Sequence, residues 1–274
     1  MQEHNLSGTA EFVSRLVDAE FPGRARHTIR LLDFGCGRGG LVRSLIAAGY
    51  DAYGCDLAGE RFKSQYLASM RAGPEENWPA DLISRLGRIA PDPYRLPYED
   101  DTFDVIVSTS VLEHVSNHRA ALEEIRRVTR HFGVGLHLFP SKHYLPAEPH
   151  IRVPFASWMW PDVPQWWLSV WALAGMRTPE QGGMGWRAVV SENREYCREG
   201  IRYLSVREYR ELFQSVFGSF EDLAPLYARH APGGTAALAR RLGGGSAIAG
   251  ILCAFRYRLI GHRKLAEAAG ARIP

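Results

Sequence analysis

A glycine-rich turn between an apolar run and a helical pattern contains residue types that could do chemistry. Leu31, Leu32 and Phe34 form a short apolar run without helical periodicity, which predicts a buried strand. Gly35 and Gly37 then allow a tight turn whose backbone can come close to a ligand. A stretch with helical spacing follows directly. A strand, a glycine turn and a helix in this order indicate a site for a nucleoside-containing cofactor.

The glycine spacing by itself leaves two kinds of cofactor open. Gly35, Gly37 and Gly40 also match the GxGxxG pattern of dinucleotide enzymes. In such enzymes an acidic residue follows about 20 residues later, as Asp56 does here. Asp33 distinguishes the two, because a carboxylate at the strand end would repel a pyrophosphate and attract an ammonium group. S-adenosylmethionine (SAM) carries an ammonium group and no phosphate, so the DxGxGxG pattern favours SAM.

From these residues onward the chain resembles the class I SAM-dependent methyltransferases, over most of residues 29–140. Residues 92–115 are similar to the family's DAxxLPFxDxxFDVV block and the strand that follows it. This similarity predicts a fourth strand over residues 103–108. A second strand is predicted at residues 52–55 and a fifth at residues 131–140. The resemblance implies an α/β fold with a doubly wound, mostly parallel, seven-stranded sheet and a ligand at the carboxyl ends of its strands.

The resemblance also assigns roles to acidic residues at the ends of successive strands. Asp33 would bind the ammonium group, Asp56 both ribose hydroxyls and Asp92 the adenine amino group. A carboxylate can accept hydrogen bonds from both hydroxyls of a cis-diol. Each acid alone could equally be a cap or a turn former, but three in this order are better explained as one site. The predicted cofactor site also includes Gly35, Cys36, Gly37, Leu57, Pro93 and Ser110.

Three histidines are candidates for the base that methyl transfer to a hydroxyl would need. A hydroxyl is nearly neutral at pH 7, and histidine has an ordinary pKa of about 6.5. We predict His150 as the base, with Glu148 as its orienting partner or as a second contact to a substrate hydroxyl. His114, which follows the predicted fourth strand, is the alternative, although it could simply cap the next helix. His143 flanks the start of the next segment.

A metal ion is not expected from the sequence. Some members of the resembled family bind a divalent metal through an ExxEH motif at the position of His114. This chain has Ser110 where the first glutamate would stand. The sequence therefore predicts a site without metal.

Aromatic residues are concentrated after the predicted fifth strand, where the resembled family often carries a substrate-binding insertion. Tryptophan and tyrosine faces can stack on sugar rings or flat aromatic acceptors, so Trp158 and Trp160 are candidates for an acceptor pocket. Trp166, Trp167 and Trp171 are spaced as on one helix. That spacing favours a small core of the insertion or a subunit interface instead. A membrane-interface belt is a third interpretation.

The acceptor class is predicted from a looser similarity to bacterial glycan and natural-product methyltransferases. It favours O-methylation of a small-molecule hydroxyl on a sugar, a glycolipid or a natural product. Three alternatives stay open: a quinone or polyphenol O-methyltransferase, a small-molecule N-methyltransferase, and a SAM-binding module without turnover. No nucleic-acid partner is expected, because no accompanying motif is found. Exposed tryptophans would favour a homodimer.

The 274 residues suffice for one α/β core with additions. We divide them into a SAM-binding core (1–140), an aromatic substrate insertion (141–200), the last helix and completion of the sheet (201–224), and a basic extension (225–274). The extension carries eight Lys and Arg residues against one acidic residue. It also holds an apolar segment over residues 247–255, shorter than the about 20 residues that span a bilayer.

The basic extension allows three interpretations. It could rest on an anionic membrane surface, hold an anionic substrate, or form a helix that packs on the body with a solvated basic face. The four cysteines lack CxxC pairing and zinc spacing, which predicts reduced thiols. We therefore expect a cytoplasmic protein, with peripheral contact to the inner membrane surface as the alternative that the extension leaves open.

Overall fold

The protein is described here by a computed structural model of residues 2–57, 78–231, 234–241 and 246–265. Its strands are β1 (Arg30–Phe34), β2 (Asp51–Leu57), β3 (Leu86–Pro91), β4 (Tyr94–Arg95), β5 (Phe103–Thr109), β6 (Thr129–Pro140), β7 (Glu221–Asp222) and β8 (Tyr257–Arg263). They form one sheet in the order β4-β3-β2-β1-β5-β6-β8-β7.

The five central strands of the sheet, from β3 to β6 in spatial order, run parallel. Strand β4 pairs antiparallel with β3 on one side, β8 pairs antiparallel with β6 on the other, and β7 pairs antiparallel with β8 at the outer edge. The first six residues of β5 are all buried, as expected for a strand covered on both faces. The prediction of an α/β sheet is confirmed, and the described sheet is mixed, with four parallel and three antiparallel strand pairings. The predicted count of seven strands is wrong, since the sheet has eight over the described residues. Strands β4 and β7 have only two residues each, too few to give a periodic pattern in the sequence.

Helices cover both faces of the sheet, and β1 shows how one strand serves two cores. Leu32 and Phe34 face one core, whereas Ile29 and Leu31 face the other. The helices are Gln2–Glu20, Gly40–Ala47, Ala80–Ile83, His118–Val128, Ala156–Met159, Gln165–Leu173, Trp186–Glu195, Val206–Phe217, Ala224–His230, Gly234–Arg241 and Ser246–Ala254.

The sheet is completed mainly from the segment that the sequence predicts to be a basic extension. Strand β8 pairs along β6 from Tyr257 to Arg263, whereas residues 201–224 contribute one helix and the short β7. A capping box starts that helix, since Ser205 and Glu208 exchange backbone-to-side-chain hydrogen bonds of 2.7 and 3.2 Å. Basic residues alternate with apolar ones around β8, so the sequence did not predict this strand, whose middle residues are buried.

Several basic side chains of the extension are engaged inside the molecule. The Lys264 ammonium lies 2.7 Å from Asp101 and is nearly buried. Arg263 pairs with Glu20. These contacts use charges that a membrane or an anionic substrate would need, so they favour packing on the body over the other two interpretations. Arg272 and Glu267 lie outside the described residues. In the part of the chain that the structure describes, every helix is too short or too polar to cross a bilayer.

The segment after β6 has a hydrophobic core of its own. Trp167 and Trp171 pack against it, as the helical spacing predicts, but Trp166 is 63% exposed. Trp160 also packs there, and its indole N–H donates to the Cys197 carbonyl at 2.8 Å. Trp160 therefore serves this core rather than an open pocket. Of the two predicted pocket tryptophans, Trp158 is the exposed one, at 45%.

Candidate functional site

The three predicted acids lie at one edge of the sheet. Asp33 is the last residue but one of β1, just before the glycine turn. Asp56 is the last residue but one of β2, and Asp92 directly follows β3. Because these strands are parallel neighbours, their carboxyl ends meet at the same edge. The structure thus places all three acids at this edge, which we call the cofactor edge, and their binding of a cofactor stays a prediction.

Asp33 is a buried carboxyl group in need of a partner. It is 2% exposed, and its Oδ1 has no hydrogen-bond partner among the described residues. Burial, followed by the nearby charge of Asp56, raises the pKa of Asp33 to about 8. An isolated buried carboxylate is unfavourable, whereas an ammonium group would give it both a charge and a hydrogen bond. The site therefore fits the methionine end of SAM.

Asp56 holds the glycine turn as well as the position predicted for the ribose. Its two carboxylate oxygens accept hydrogen bonds from the backbone N–H groups of Gly37, at 2.7 Å, and Leu57, at 2.6 Å. Each carboxylate oxygen can accept more than one hydrogen bond, so this arrangement leaves capacity for a diol. The sequence did not reveal the bond to the turn.

Gly35 and Gly37 of the turn differ in the space around the position that a Cβ atom would occupy. Gly35 has φ +80°, and a Cβ there would lie 2.3 Å from the side chain of Val111. Gly37 has φ +53°, but nothing lies within 4 Å of where its Cβ would be. Gly35 thus lets β1 and the segment after β5 approach closely, whereas Gly37 presents its backbone to an open side where a ligand could lie.

The remaining predicted cofactor residues surround this edge. Cys36 and Leu57 are partly buried beside the turn. Asp92 and Pro93 are exposed between β3 and β4. Ser110, directly after β5, is exposed and has φ 55°; its N–H donates to the Leu138 carbonyl at 2.7 Å.

A second group of polar residues lies beyond the end of β5, with one glutamate fully buried and two histidines partly buried. The short turn Leu112–His114 meets the loop that follows β6. Glu113 and His114 of the turn and His150 of the loop place one donor atom each within 4.8 Å of one another. The Nε2 atoms of both histidines lie 3.9 Å from Glu113 Oε1. We call these three residues the Glu–His cluster.

Glu148 supports the cluster from behind. Its Oε1 accepts from His150 Nδ1 at 2.8 Å and from the Tyr203 hydroxyl at 3.0 Å. Its Oε2 accepts from the backbone N–H groups of His150 and Ile151, both at 2.7 Å. Burial raises the pKa of Glu148, but the charge of His150 and these bonds outweigh it and hold the pKa below its usual value. The predicted pairing of Glu148 with His150 is thus present.

The hydrogen bonds of the two histidines define which nitrogen faces the cluster. His114 Nδ1 lies 2.6 Å from the Gly200 carbonyl, and His150 Nδ1 is bonded to the Glu148 carboxylate. Both partners only accept, so each Nδ1 must donate. In the neutral rings Nε2 then carries the lone pair, on the side of Glu113. Burial lowers the pKa of His150, but Glu148 raises it more, so it lies above its usual value.

Glu113 is the residue that the sequence prediction missed. It is fully buried, and neither carboxylate oxygen has a hydrogen-bond partner in the described part of the chain. Burial raises the pKa of Glu113 to about 7. Its place next to His114, as the second glutamate of an ExxEH pattern, was the signal that could have found it. The structure does not bring His143 into the cluster, since that ring is exposed and packs edge-on against Trp158.

The cofactor edge and the Glu–His cluster are neighbours. Strands β1 and β5 pair directly, and the residues after them touch at Gly35 and Val111. Val111 begins the same turn that carries Glu113 and His114. A group held over the glycine turn would therefore lie next to residues that can accept a proton or bind a cation.

Comparisons with known proteins agree with this geometry. Residues 32–136 match the family model described as a methyltransferase domain. The chain is 34% identical over 113 residues to an uncharacterized methyltransferase of Schizosaccharomyces pombe, covering 38% of this chain and 37% of that protein. It is 27% identical over 130 residues to norajmaline N-methyltransferase of Rauvolfia serpentina, covering 45% of this chain and 42% of that protein. It thus spans less than half the length of these relatives.

Two further matches complete the comparison. The chain is 43% identical over 51 residues to demethylmenaquinone methyltransferase of Mycobacterium tuberculosis, covering 19% of this chain and 22% of that protein. The solved structure of the plantazolicin methyltransferase BpumL, in complex with S-adenosylhomocysteine (SAH), has a TM-score of 0.50 and 11% identity, covering 97% of this chain and 86% of that one. This similarity concerns the fold. Residues 32–136 thus match a methyltransferase domain, and the relatives that the chain matches are methyltransferases.

Proposed function

We propose that the chain transfers a methyl group from SAM to a hydroxyl of a small molecule, of the sugar, glycolipid or natural-product class. The observation that carries this proposal is the buried Glu–His cluster beside the glycine turn. A hydroxyl must lose its proton during transfer, and the cluster offers basic groups next to the predicted cofactor position.

The reaction is an in-line displacement. The acceptor oxygen attacks the methyl carbon, the carbon–sulfur bond breaks with its electron pair on sulfur, SAH leaves, and the hydroxyl proton goes to the base. Since the sulfonium is already activated, the protein's main tasks are to hold the oxygen within about 3–3.5 Å of the methyl carbon and to take the proton. His150, oriented by Glu148, is the proposed base.

An exposed aromatic surface near the cluster's loop suits such an acceptor. Trp158 lies parallel to Phe255, with ring centroids 6.0 Å apart and an interplanar angle of 8°. The His143 ring stands edge-on to Trp158 at 5.1 Å. Aromatic faces of this kind stack on sugar rings and on flat aromatic acceptors. We propose that the acceptor contacts this surface.

The names of two relatives support nitrogen and quinone acceptors as alternatives. One is named for N-methylation of norajmaline and the other for methylation of demethylmenaquinone. A nitrogen acceptor needs less help from a base, so its methylation would tolerate loss of His150. A quinone would use the same aromatic surface as a sugar.

The direct test is incubation with methyl-labelled SAM and fractionated host extract, followed by mass spectrometry of the labelled product. We expect a methyl group on oxygen. A label on nitrogen or carbon would replace the proposed acceptor class, and failure to bind both SAM and SAH would remove the methyltransferase function.

The role of His150 is tested by His150→Ala. We expect turnover to fall about 100-fold or more while the dissociation constant for SAH stays near normal, because the ring acts on the acceptor and not on the cofactor. His131→Ala, which removes an exposed histidine of β6, is the matched control. Equal turnover in the two variants would exclude His150.

A further inference from the structure

The Glu–His cluster has the composition of a metal centre. We propose that it binds one divalent first-row transition-metal ion through Glu113 Oε1 and the Nε2 atoms of His114 and His150. Two imidazoles and one carboxylate form the protein ligand set of catalytic zinc sites and of non-haem iron sites. Such a set leaves coordination positions open for a substrate oxygen. Imidazole ligands favour transition metals over Mg²⁺ and Ca²⁺, which bind through oxygen.

The donor atoms are nearly at ligand spacing. Both Nε2 atoms are 3.9 Å from Glu113 Oε1, and the three donors lie within 4.8 Å of one another. Ligand atoms bound at about 2.0–2.2 Å from one tetrahedral ion are roughly 3.3–3.6 Å apart. Small side-chain rotations would therefore close the site, without movement of the backbone.

The groups behind the histidines are those that metal-binding histidines require. A ligating histidine donates its other N–H to a carboxylate or a carbonyl, which fixes the ring and its tautomer. His150 donates to Glu148, and His114 donates to the carbonyl of Gly200. Tyr203 in turn donates to Glu148. These partners orient both lone pairs toward Glu113, before any ion is bound.

Glu113 is an independent indication of a cation. Its side chain is fully buried, and its two oxygens have no hydrogen-bond partner among the described residues. Burying a carboxylate is unfavourable unless a positive charge or hydrogen bonds compensate for it. Glu148 and an ionised Glu113 would give the pocket negative charge that a divalent ion bound by the neutral imidazoles would neutralise.

The catalytic consequence rests on the proposed function, although the binding does not. A divalent ion would lower the pKa of a hydroxyl that coordinates it. His150 would then hold the ion instead of acting as the base, and the proton of the coordinated hydroxyl would pass to solvent water. The sequence predicted no metal because Ser110 replaces one glutamate of the motif; in the fold, His150 supplies a donor from a distant segment instead.

The test measures binding directly. The full chain is stripped with a chelator and titrated with Zn²⁺ in equilibrium dialysis, and with Co²⁺ followed by visible absorption. We expect one ion per chain, visible bands typical of nitrogen and oxygen ligands, and much weaker binding of Mg²⁺. His114→Ala, His150→Ala and Glu113→Gln should each weaken Zn²⁺ binding by at least about 100-fold, whereas His131→Ala should not change it.

Folding of each variant is checked by its binding of SAH. Glu148→Gln keeps all three ligands and should weaken Zn²⁺ binding about 10–100-fold through the orientation of His150. Absence of stoichiometric Zn²⁺ binding in the native chain, or unchanged binding in folded ligand variants, would overturn the inference. Methyl transfer by a chain without bound metal would leave the proposed function intact and overturn the metal's part in it. Bound Zn²⁺ without any methylated product would leave the metal site intact and overturn the proposed function.

Discussion

The cofactor edge and the Glu–His cluster lie side by side but are built in opposite ways. The cofactor edge comes from three consecutive strand ends, with Asp33 and Asp56 joined through the turn at Gly37. The cluster is assembled from two segments that are distant in sequence, around His114 and around His150. A local strand-turn-helix pattern can therefore predict the first site, whereas only the complete fold creates the second.

The two sites also share a physical feature. Each contains a buried carboxyl group with at least one oxygen that lacks a hydrogen-bond partner among the described residues, Asp33 in one and Glu113 in the other. Burial raises the pKa of both, to about 8 and about 7. A protein that retains such groups gives up stability for binding. We propose that the ammonium group of SAM completes the first and a metal ion the second.

The largest expected effect at the cofactor edge comes from Asp56→Ala. It removes the acceptor for Gly37 and Leu57 and the proposed acceptor for the ribose diol. Charge-assisted hydrogen bonds contribute about 1.5–3 kcal/mol each, so calorimetry should show SAM and SAH binding weakened together by at least about 100-fold. Asp162→Ala, at an exposed position, is the control. Loss of binding for only one of the two ligands would contradict the ribose assignment.

Asp33→Asn should weaken SAM binding and yet stabilise the free protein. Asp33 is mostly neutral in the fold at pH 7, since its pKa is about 8, but ionised when unfolded, since its ordinary value is 3.8. Its contribution therefore becomes more unfavourable as pH rises from about 4 to about 8. Asparagine removes this loss, and each kcal/mol recovered should raise Tm by roughly 2–4 °C.

The measurement compares Tm of the native chain and Asp33→Asn at pH 5 and pH 8. The gain should be larger at pH 8. A lower Tm of the variant at pH 8 would show that the carboxyl group has a partner in the free protein. Calorimetry of SAM binding near pH 7 in buffers of different ionisation enthalpy should also show proton release by the native chain that the variant lacks.

The parts of the fold that could be predicted are those with a local signal. Strands β1, β2, β5 and β6 were predicted because buried apolar runs and glycine turns occur at regular points of the chain. Strand β8 was not, because pairing with β6 decides its structure, and its flanking arginines resemble a solvated surface. In the site, Glu148 and His150 were predicted as a pair because they lie two residues apart, with Pro149 between them and Pro154 after them. Glu113 was missed, since burial is invisible in a polar turn.

Gly35→Ala tests the contact between the two sites. An added methyl group would collide with Val111, and the positive φ adds strain. We expect SAH binding to weaken about tenfold, in line with roughly 1–2 kcal/mol of strain. Val111→Ala in the same chain should restore part of this affinity, because it opens space without changing φ. Absence of any recovery would mean that the backbone conformation alone requires glycine.

The smallest effect is expected from Tyr203→Phe. It removes one hydrogen bond to the Glu148 carboxylate, while the bonds from His150 and Ile151 remain, so the loss reaches the ion and the acceptor only through the orientation of His150. Zn²⁺ affinity and turnover should fall a few-fold at most, with KM for SAM unchanged. A loss as large as that of His150→Ala would assign Tyr203 a direct contact with the acceptor.

The position of β8 in the chain has a consequence for how the protein is made. Residues 134–140 of β6 hydrogen-bond to β8, which the ribosome adds more than a hundred residues later. Until then one side of a long apolar strand stays open to pairing with other nascent chains. Shortening the chain before Tyr257 would make that transient state permanent, so expression of such fragments is expected to yield inclusion bodies even though residues 32–136 are intact.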